Sequence, residues 1–284
     1  MSSVEQFAAS VKCVTELSSP FREAIIDHVS ETEAIHNLIY SPSFSTAKFW
    51  SPASVLCVTD QQWLIALRGK DGTVLVVQSS YNSTLSVELT FILLYGQLKM
   101  TYVAGGEAKS AALQFNTVMH GTYADATQYI LDTIDGREGV VMSSLNAGNK
   151  VVSGWPLKLR NFSLLYAPKN SQILDGVCWG EVCVAFGREL APAAALLLTD
   201  RHIVMIAEEK ITRWFQFRRT AKYGAIITYI PLNRLTAVET TARRRVCVLE
   251  LLAREGDGVE RFELLFPCDK QSSVSRVMKK SIPD

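Results

Sequence analysis

The 284-residue chain has little of what marks several protein classes. Its six cysteines contain no Cys-x-x-Cys pair, which argues against a disulfide scaffold and against a spaced zinc site. Cys178 and Cys183 read as buried strand thiols rather than a redox couple. Nine prolines are too few for a proline-rich linker protein. No window approaches the ~20 apolar residues that span a bilayer as a helix. The short apolar runs Phe91–Tyr95 and Ala193–Leu198 read as strands. Met1 to Phe7 has neither a basic start nor an apolar stretch, so no secretory signal is expected there. The acceptor patterns Asn82-Ser83-Thr84 and Asn161-Phe162-Ser163 then carry no weight. A cytoplasmic, reduced protein is expected. The four histidines, His28, His36, His120 and His202, make no HExxH pattern, and no GxSxG elbow or GxxxxGK[ST] loop occurs. Asp125, Asp132 and Asp135 read as one solvated helix face. No enzyme, metal site or cofactor is expected.

What remains is ordinary globular composition, 48% hydrophobic and 20% charged, in a length that suits two domains. The net charge of +1 hides an asymmetry. Residues 1–150 carry 9 Lys/Arg against 14 Asp/Glu, and residues 151–284 carry 20 against 14.

An internal repeat organises the chain. Ser51-Pro52-Ala53-Ser54-Val55-Leu56-Cys57-Val58-Thr59-Asp60 recurs as Ala191-Pro192-Ala193-Ala194-Ala195-Leu196-Leu197-Leu198-Thr199-Asp200, 140 residues later. Upstream, Ile39-Tyr40-Ser41-Pro42 matches Leu165-Tyr166-Ala167-Pro168. Downstream, Trp63–Leu67 answers Ile203–Ala207, and Leu85–Glu88 answers Leu235–Glu239. Gly105-Gly106 and Gly256-Asp257-Gly258 are matching turn signals. The ordered series reads as a tandem duplication.

In the second copy the expected strands are Glu181–Phe186, Ala193–Thr199, His202–Glu208, Ala225–Ile230, Leu235–Thr240, Arg245–Leu252 and Arg261–Phe266. Asp200 is expected to bond its own backbone in a tight turn. A helix from Asp269 follows, with Val274, Val277 and Met278 inward. The first copy ends likewise, with a strand at Ser110–Phe115, then a helix at Tyr123–Ile134 on an Ala126, Ile130, Ile134 stripe, capped by Gly136. Ahead of both lies a helical prefix. Val4, Phe7, Val11 and Val14 form one apolar face after a capping box at Ser3–Gln6. A second helix starts at Ser19-Pro20, with Phe21, Ala24, Ile25, His28 and Val29 inward. The fold class is therefore mainly β (α+β). About seven antiparallel strands closed by a carboxy-terminal helix describe a small plugged split barrel, with a β-sandwich or a six-stranded barrel as alternatives. The expected domains are a prefix at 1–34, a first unit at 35–137, a linker at 138–160 and a second unit at 161–284.

Leu196 to Ile206 and the Ile-Pro-Leu-x-x-Leu-x-x-Val-Glu pattern of Ile230–Glu239 resemble bacterial pleckstrin-homology-like (PH-like) domains. Phe21–Pro42 resembles the helix-plus-strand entry to such domains. The resemblance covers most of 160–282 and, more weakly, 35–135. It implies two tandem PH-like split barrels, each a bent seven-stranded barrel plugged by a helix. It also implies binding of a lipid headgroup, peptide or protein rather than catalysis. The first copy departs from the pattern, with Gln61-Gln62 where the second has Arg201-His202.

One segment is not explained by such a fold. Where the first copy turns through Arg68–Gly72, the second inserts about a dozen residues between Glu208 and Gly224. They include Lys210, Arg213, Trp214, Phe215, Phe217, Arg218, Arg219, Lys222 and Tyr223. Arg243, Arg244 and Arg245 follow two strands later. In an antiparallel meander both clusters would share one rim. Basic and aromatic residues together suit an anionic partner, with charge for attraction and rings for insertion. The expected function is a non-enzymatic module that docks reversibly on an anionic membrane or lipid headgroup, peripheral to the membrane's inner face. The alternative is a protein–protein scaffold or self-association module, in which the loop packs on another protein surface. Nucleic acid fits poorly, given the near-neutral total charge and the acidic first half.

Overall fold

The computed structural model describes residues 9–46, 49–136, 150–183, 189–209 and 224–281. The chain is mainly β, and among the described residues every strand pair is antiparallel and no sheet closes on itself. The first described elements are a two-residue strand β1 (Ala9–Ser10) and a short helix α1 (Ser19–Ile26). β2 (Ile35–Ser41) comes next, then a small hairpin of β3 (Phe44–Thr46) and β4 (Phe49–Ser51). β5 (Ser54–Thr59), β6 (Gln62–Arg68) and β7 (Val74–Ser80) complete a five-stranded sheet of order β1-β2-β5-β6-β7. A 3-10 corner at Tyr81–Ser83 leads into β8 (Thr84–Ile92), β9 (Tyr95–Ala104) and β10 (Glu107–Asn116), and α2 (His120–Ile134) closes the first half.

The second half repeats this order. α3 (Leu157–Tyr166) precedes β11 (Ile173–Trp179), and a small hairpin of β12 (Val182–Cys183) and β13 (Glu189–Ala191) follows. Then come β14 (Ala194–Thr199), β15 (His202–Glu209) and β16 (Gly224–Pro231). A second 3-10 corner at Leu232–Arg234 leads into β17 (Leu235–Arg243), β18 (Val246–Glu255) and β19 (Gly258–Pro267), ahead of α4 (Gln271–Lys279). Leaving out β1 and the small hairpins, both halves thus run four principal strands, a corner, three strands and a helix.

Details of register repeat as well. A bulge lies at Thr84/Ser86 in β8 and at Leu235/Ala237 in β17. The β8–β9 turn has Leu93 at φ +54° and the β17–β18 turn has Arg244 at φ +49°. Asp60 therefore corresponds to Asp200, 140 residues on, whereas Leu93 corresponds to Arg244, 151 residues on. The shift in offset falls between β15 and β16.

β5, β6, β14, β15 and β16 are buried on both faces, which is why they read as continuous apolar runs. In β5 and β6, Leu56, Val58, Trp63 and Ile65 face the first unit's interior, while Val55, Cys57, Leu64 and Ala66 face Phe21 and Ile25 of α1. In β14 and β15, Leu196, Leu198, Ile203 and Met205 face the second unit's interior with Val274 and Val277 of α4. Their alternates Leu197, Val204 and Ile206 join the first unit's core, with Ile130 of α2 and Leu159 of α3. One apolar cluster therefore spans both units. A sheet does too: β8 pairs with β16, giving the order β10-β9-β8-β16-β15-β14-β11.

Several expectations need correction. Residues 9–16 form β1 and a 3-10 turn (Val14–Glu16) rather than a helix, and Val11 is buried because it hydrogen-bonds Leu38 as a strand extension. Val4 and Phe7 lie outside the described residues. The second unit opens with β11, not with Glu181–Phe186, of which only Val182–Cys183 is a described strand. Asp175 and Gly176 look like strand breakers. Yet Gly176 fits because a Cβ there would meet Leu197 and Trp155 at 3.0 Å, and the buried Asp175 accepts from Lys280 Nζ at 2.7 Å. The tetrapeptides Ile39–Pro42 and Leu165–Pro168 are not equivalent, since one lies mostly in β2 and the other runs off the end of α3. Cys178 is half-buried and Cys183 is exposed. Asp135 is not a solvated residue: its carboxylate is nearly buried, 3.6 Å from His202 Nδ1.

Candidate functional site

The twin Thr-Asp turns show what holds each unit together. Thr199 Oγ1 accepts from the Arg201 and His202 backbone N–H groups at 3.2 and 2.8 Å and donates to the His202 carbonyl. Thr59 Oγ1 accepts likewise from Gln61 and Gln62. The local turn bonds therefore come from threonine rather than aspartate. Asp200 Oδ1 instead accepts from the Gln172 N–H at 2.8 Å, and Asp60 Oδ1 accepts from the Ala34 N–H at 3.1 Å. Each aspartate fastens the entry of its unit's first strand. These groups are structural.

The β15–β16 loop is rooted by an exact requirement for glycine. Gly224 lies opposite Glu209 on one side and opposite Ile92 of β8 on the other. A Cβ at Gly224 would sit 2.4 Å from the Phe91 carbonyl oxygen. Gly224 therefore abuts the tip end of the β8–β9 hairpin, where Ile92 precedes the Leu93-Leu94 turn. Thr117 ties down both tip carbonyls, its N–H on Leu94 O at 3.1 Å and its hydroxyl on Leu93 O at 2.9 Å. The two leucine side chains are 54% and 72% exposed, and neighbouring Val118 is 84% exposed. Leu93 is also held in the left-handed region, which costs a non-glycine residue about 1–2 kcal/mol. An exposed apolar residue in a strained turn suggests function rather than stability.

Arg244 and Arg245 form the equivalent tip in the second unit, Arg243 is the last residue of β17, and all three are exposed. Arg243 Nη2 lies 3.8 Å from Glu250 Oε1, and Glu250 Oε2 lies 3.4 Å from Arg261 Nη1. Such exposed contacts contribute little. The same hairpin thus presents two leucines in the first unit and two arginines in the second.

The nine loop residues singled out from the sequence (Lys210, Arg213, Trp214, Phe215, Phe217, Arg218, Arg219, Lys222 and Tyr223) lie outside the described residues. So does any convergence of that loop with Arg243–Arg245. The corner at Leu232–Arg234 does separate β16 from β17, but the two strands belong to different sheets. The meander rule used for a shared rim applies to neighbouring strands, and β16's neighbours are β15 and β8. Leu93, Leu94 and Val118 were not visible as site candidates. Ile92 to Tyr95 contains no Gly, Asn or Asp, so Phe91–Tyr95 reads as a single strand, although Leu93-Leu94 is a turn.

The histidines occupy separate settings. His202 is fully buried, and burial pushes its pKa down to about 3, so the ring is neutral despite nearby Asp135. His120 Nε2 is 2.5 Å from the Tyr166 hydroxyl, and burial lowers its pKa. His36 stacks on Tyr129, and His28 Nδ1 bonds the Ala24 carbonyl. Among the described residues no group of three His, Cys, Asp or Glu side chains is arranged to hold a metal ion. None of the described helices is long and apolar enough to cross a membrane. No family model and no curated protein matches the chain.

Proposed function

We propose that the chain is a non-enzymatic binding module of two PH-like units that docks reversibly on an anionic membrane surface. The repeated order of four strands, corner, three strands and helix supports the PH-like reading. The observation that carries the membrane reading is the register at Gly224. Gly224, which follows the basic–aromatic 210–223 segment in sequence, pairs with Ile92, the residue before the exposed Leu93-Leu94 tip. Cations attract an anionic surface by up to ~1 kcal/mol each, while leucines that enter the acyl boundary gain about 1.5–3 kcal/mol each when fully buried. Charge alone gives weak, salt-sensitive docking; the leucines add a part that salt does not screen.

Co-sedimentation with phosphatidylserine-containing and pure phosphatidylcholine vesicles tests this. Wild type should bind the anionic vesicles preferentially. Arg218→Glu with Arg244→Glu should weaken that binding more than tenfold. Leu93→Asp with Leu94→Asp should abolish the fraction that survives high salt. Equal binding of wild type and the charge-reversed variant to both vesicle types would discard the proposal.

A further inference from the structure

The contact that joins the two units inside the chain leaves a matching pair of edges outside it. β8 is the fifth principal strand of the first unit, and its outer edge pairs with β16, the fourth principal strand of the second. By the equivalence of the halves, β7 is the first unit's fourth strand and β17 is the second unit's fifth. β7 ends the five-stranded sheet and β17 ends the three-stranded sheet. Among the described residues no strand pairs with the outer edge of either. The chain therefore carries, unused, both halves of the contact that its own units make.

We propose that copies of this chain assemble head to tail, β17 of one copy adding antiparallel to β7 of the next. The internal junction supplies the register. Ala225 opposite Phe91, Ile227 opposite Leu89 and Tyr229 opposite Val87 become Val74 opposite Ala242, Val76 opposite Thr240 and Gln78 opposite Val238.

The backbone groups point the right way. Ile92 and Tyr95 flank a two-residue turn, as do Arg243 and Val246. Residues that flank such a turn exchange ladder bonds with each other, and bonding direction then alternates along the strand. Phe91, Leu89 and Val87 thus address β16, and Ala242, Thr240 and Val238 address the outer edge of β17. An edge left open is usually blunted by lysine, proline or a bulge. β7 reads Val74-Leu75-Val76-Val77-Gln78-Ser79-Ser80 with none of these, and Leu75 is 63% exposed. Its counterpart at the internal junction is Ile226, which is half-buried beside β8. From Thr73 opposite Arg243 to Gln78 opposite Val238, the register juxtaposes no like charges. The two edges are different surfaces, so the contact is heterologous and grows into open or ring-shaped chains rather than stopping at a twofold dimer. This proposal is independent of the membrane reading.

Sedimentation velocity of the full chain without lipid, from micromolar to submillimolar concentration, tests it. The wild-type average mass should rise above one chain as concentration rises. Thr240→Pro and Gln78→Pro each remove one outward N–H from an edge, a place where proline is tolerated. Each variant should sediment as a single chain. Mixed in equal amounts, they should form a pair and nothing larger, because only the intact β7 of one meets the intact β17 of the other. Circular dichroism checks that both fold, and Leu75→Asp, which leaves the backbone intact, replaces Gln78→Pro if that variant unfolds. Wild type that stays a single chain throughout overturns the proposal. So does a mixture that stays single or grows beyond a pair.

Discussion

Replacing Thr199 with valine isolates the chemistry of the repeated turn. The side chain is fully buried, so valine keeps the shape and one methyl while exchanging the hydroxyl for a second methyl. The buried His202 N–H loses its 2.8 Å acceptor, which costs about 1–3 kcal/mol, and the Arg201 N–H and His202 carbonyl lose weaker bonds. The extra methyl returns about 0.8 kcal/mol, leaving a net loss of about 2 kcal/mol. Thr199→Ser keeps every hydrogen bond and loses only a methyl, about 0.8 kcal/mol. Urea unfolding followed by tryptophan fluorescence should therefore rank wild type, serine, then valine, with unchanged slopes. Thr59→Val should behave alike, and the two valines should be additive because the sites are distant. Valine within about 0.5 kcal/mol of wild type, or serine worse than valine, would refute the reasoning and assign the threonine to methyl packing.

Other outcomes follow from the same contacts. Asp200→Ala should lower stability by about 1 kcal/mol and Asp200→Asn by less, since asparagine keeps the acceptor for the Gln172 N–H; calorimetric melting temperatures will show the order. Burial alone would raise the Asp175 carboxyl, but hydrogen bonds from Lys280 and the Gly176 N–H, with the Arg276 and Lys280 charges, hold it below the usual 3.8. Its stabilisation is then complete above that value and is lost as pH falls through the lower folded one, so Asp175→Asn should flatten stability against pH in that acid range. Gly224→Ala forces β16 away from the Phe91 carbonyl and should raise amide hydrogen exchange in β8 and β16; unchanged protection there would mean the junction does not depend on that close approach.

Much of each unit was legible because its determinants are local. The Thr-Asp turns, the α2 stripe of Ala126, Ile130 and Ile134, the Gly136 cap at φ +66° and the inward face of α4 are written within a few residues each. The loop insertion was legible for a related reason: the two copies calibrate one another. Where the reading failed, a distant partner was involved. Asp175-Gly176 could be a strand only because Lys280 and Arg276 neutralise the carboxylate and Leu197 needs the space. Leu93-Leu94 could be a turn only because Thr117 anchors its carbonyls from the far side of β10.

By itself the sequence determined that the chain repeats and most of the order of strands and helices in each copy, since alternation and capping act over short spans of chain; the turn bonds it assigned to Asp200 belong to Thr199, and β11 and the Leu93-Leu94 turn were not legible. Tertiary structure alone decided that β8 of one unit would pair with β16 of the other, that α2 would be shared between two sheets, and that β7 and β17 would be left as edges. Strand edges carry the same N–H and C=O groups whatever their side chains. Which edges meet is therefore settled by the packing of whole sheets, here the apolar cluster that takes in Leu197, Val204 and Ile206 together with Ile130.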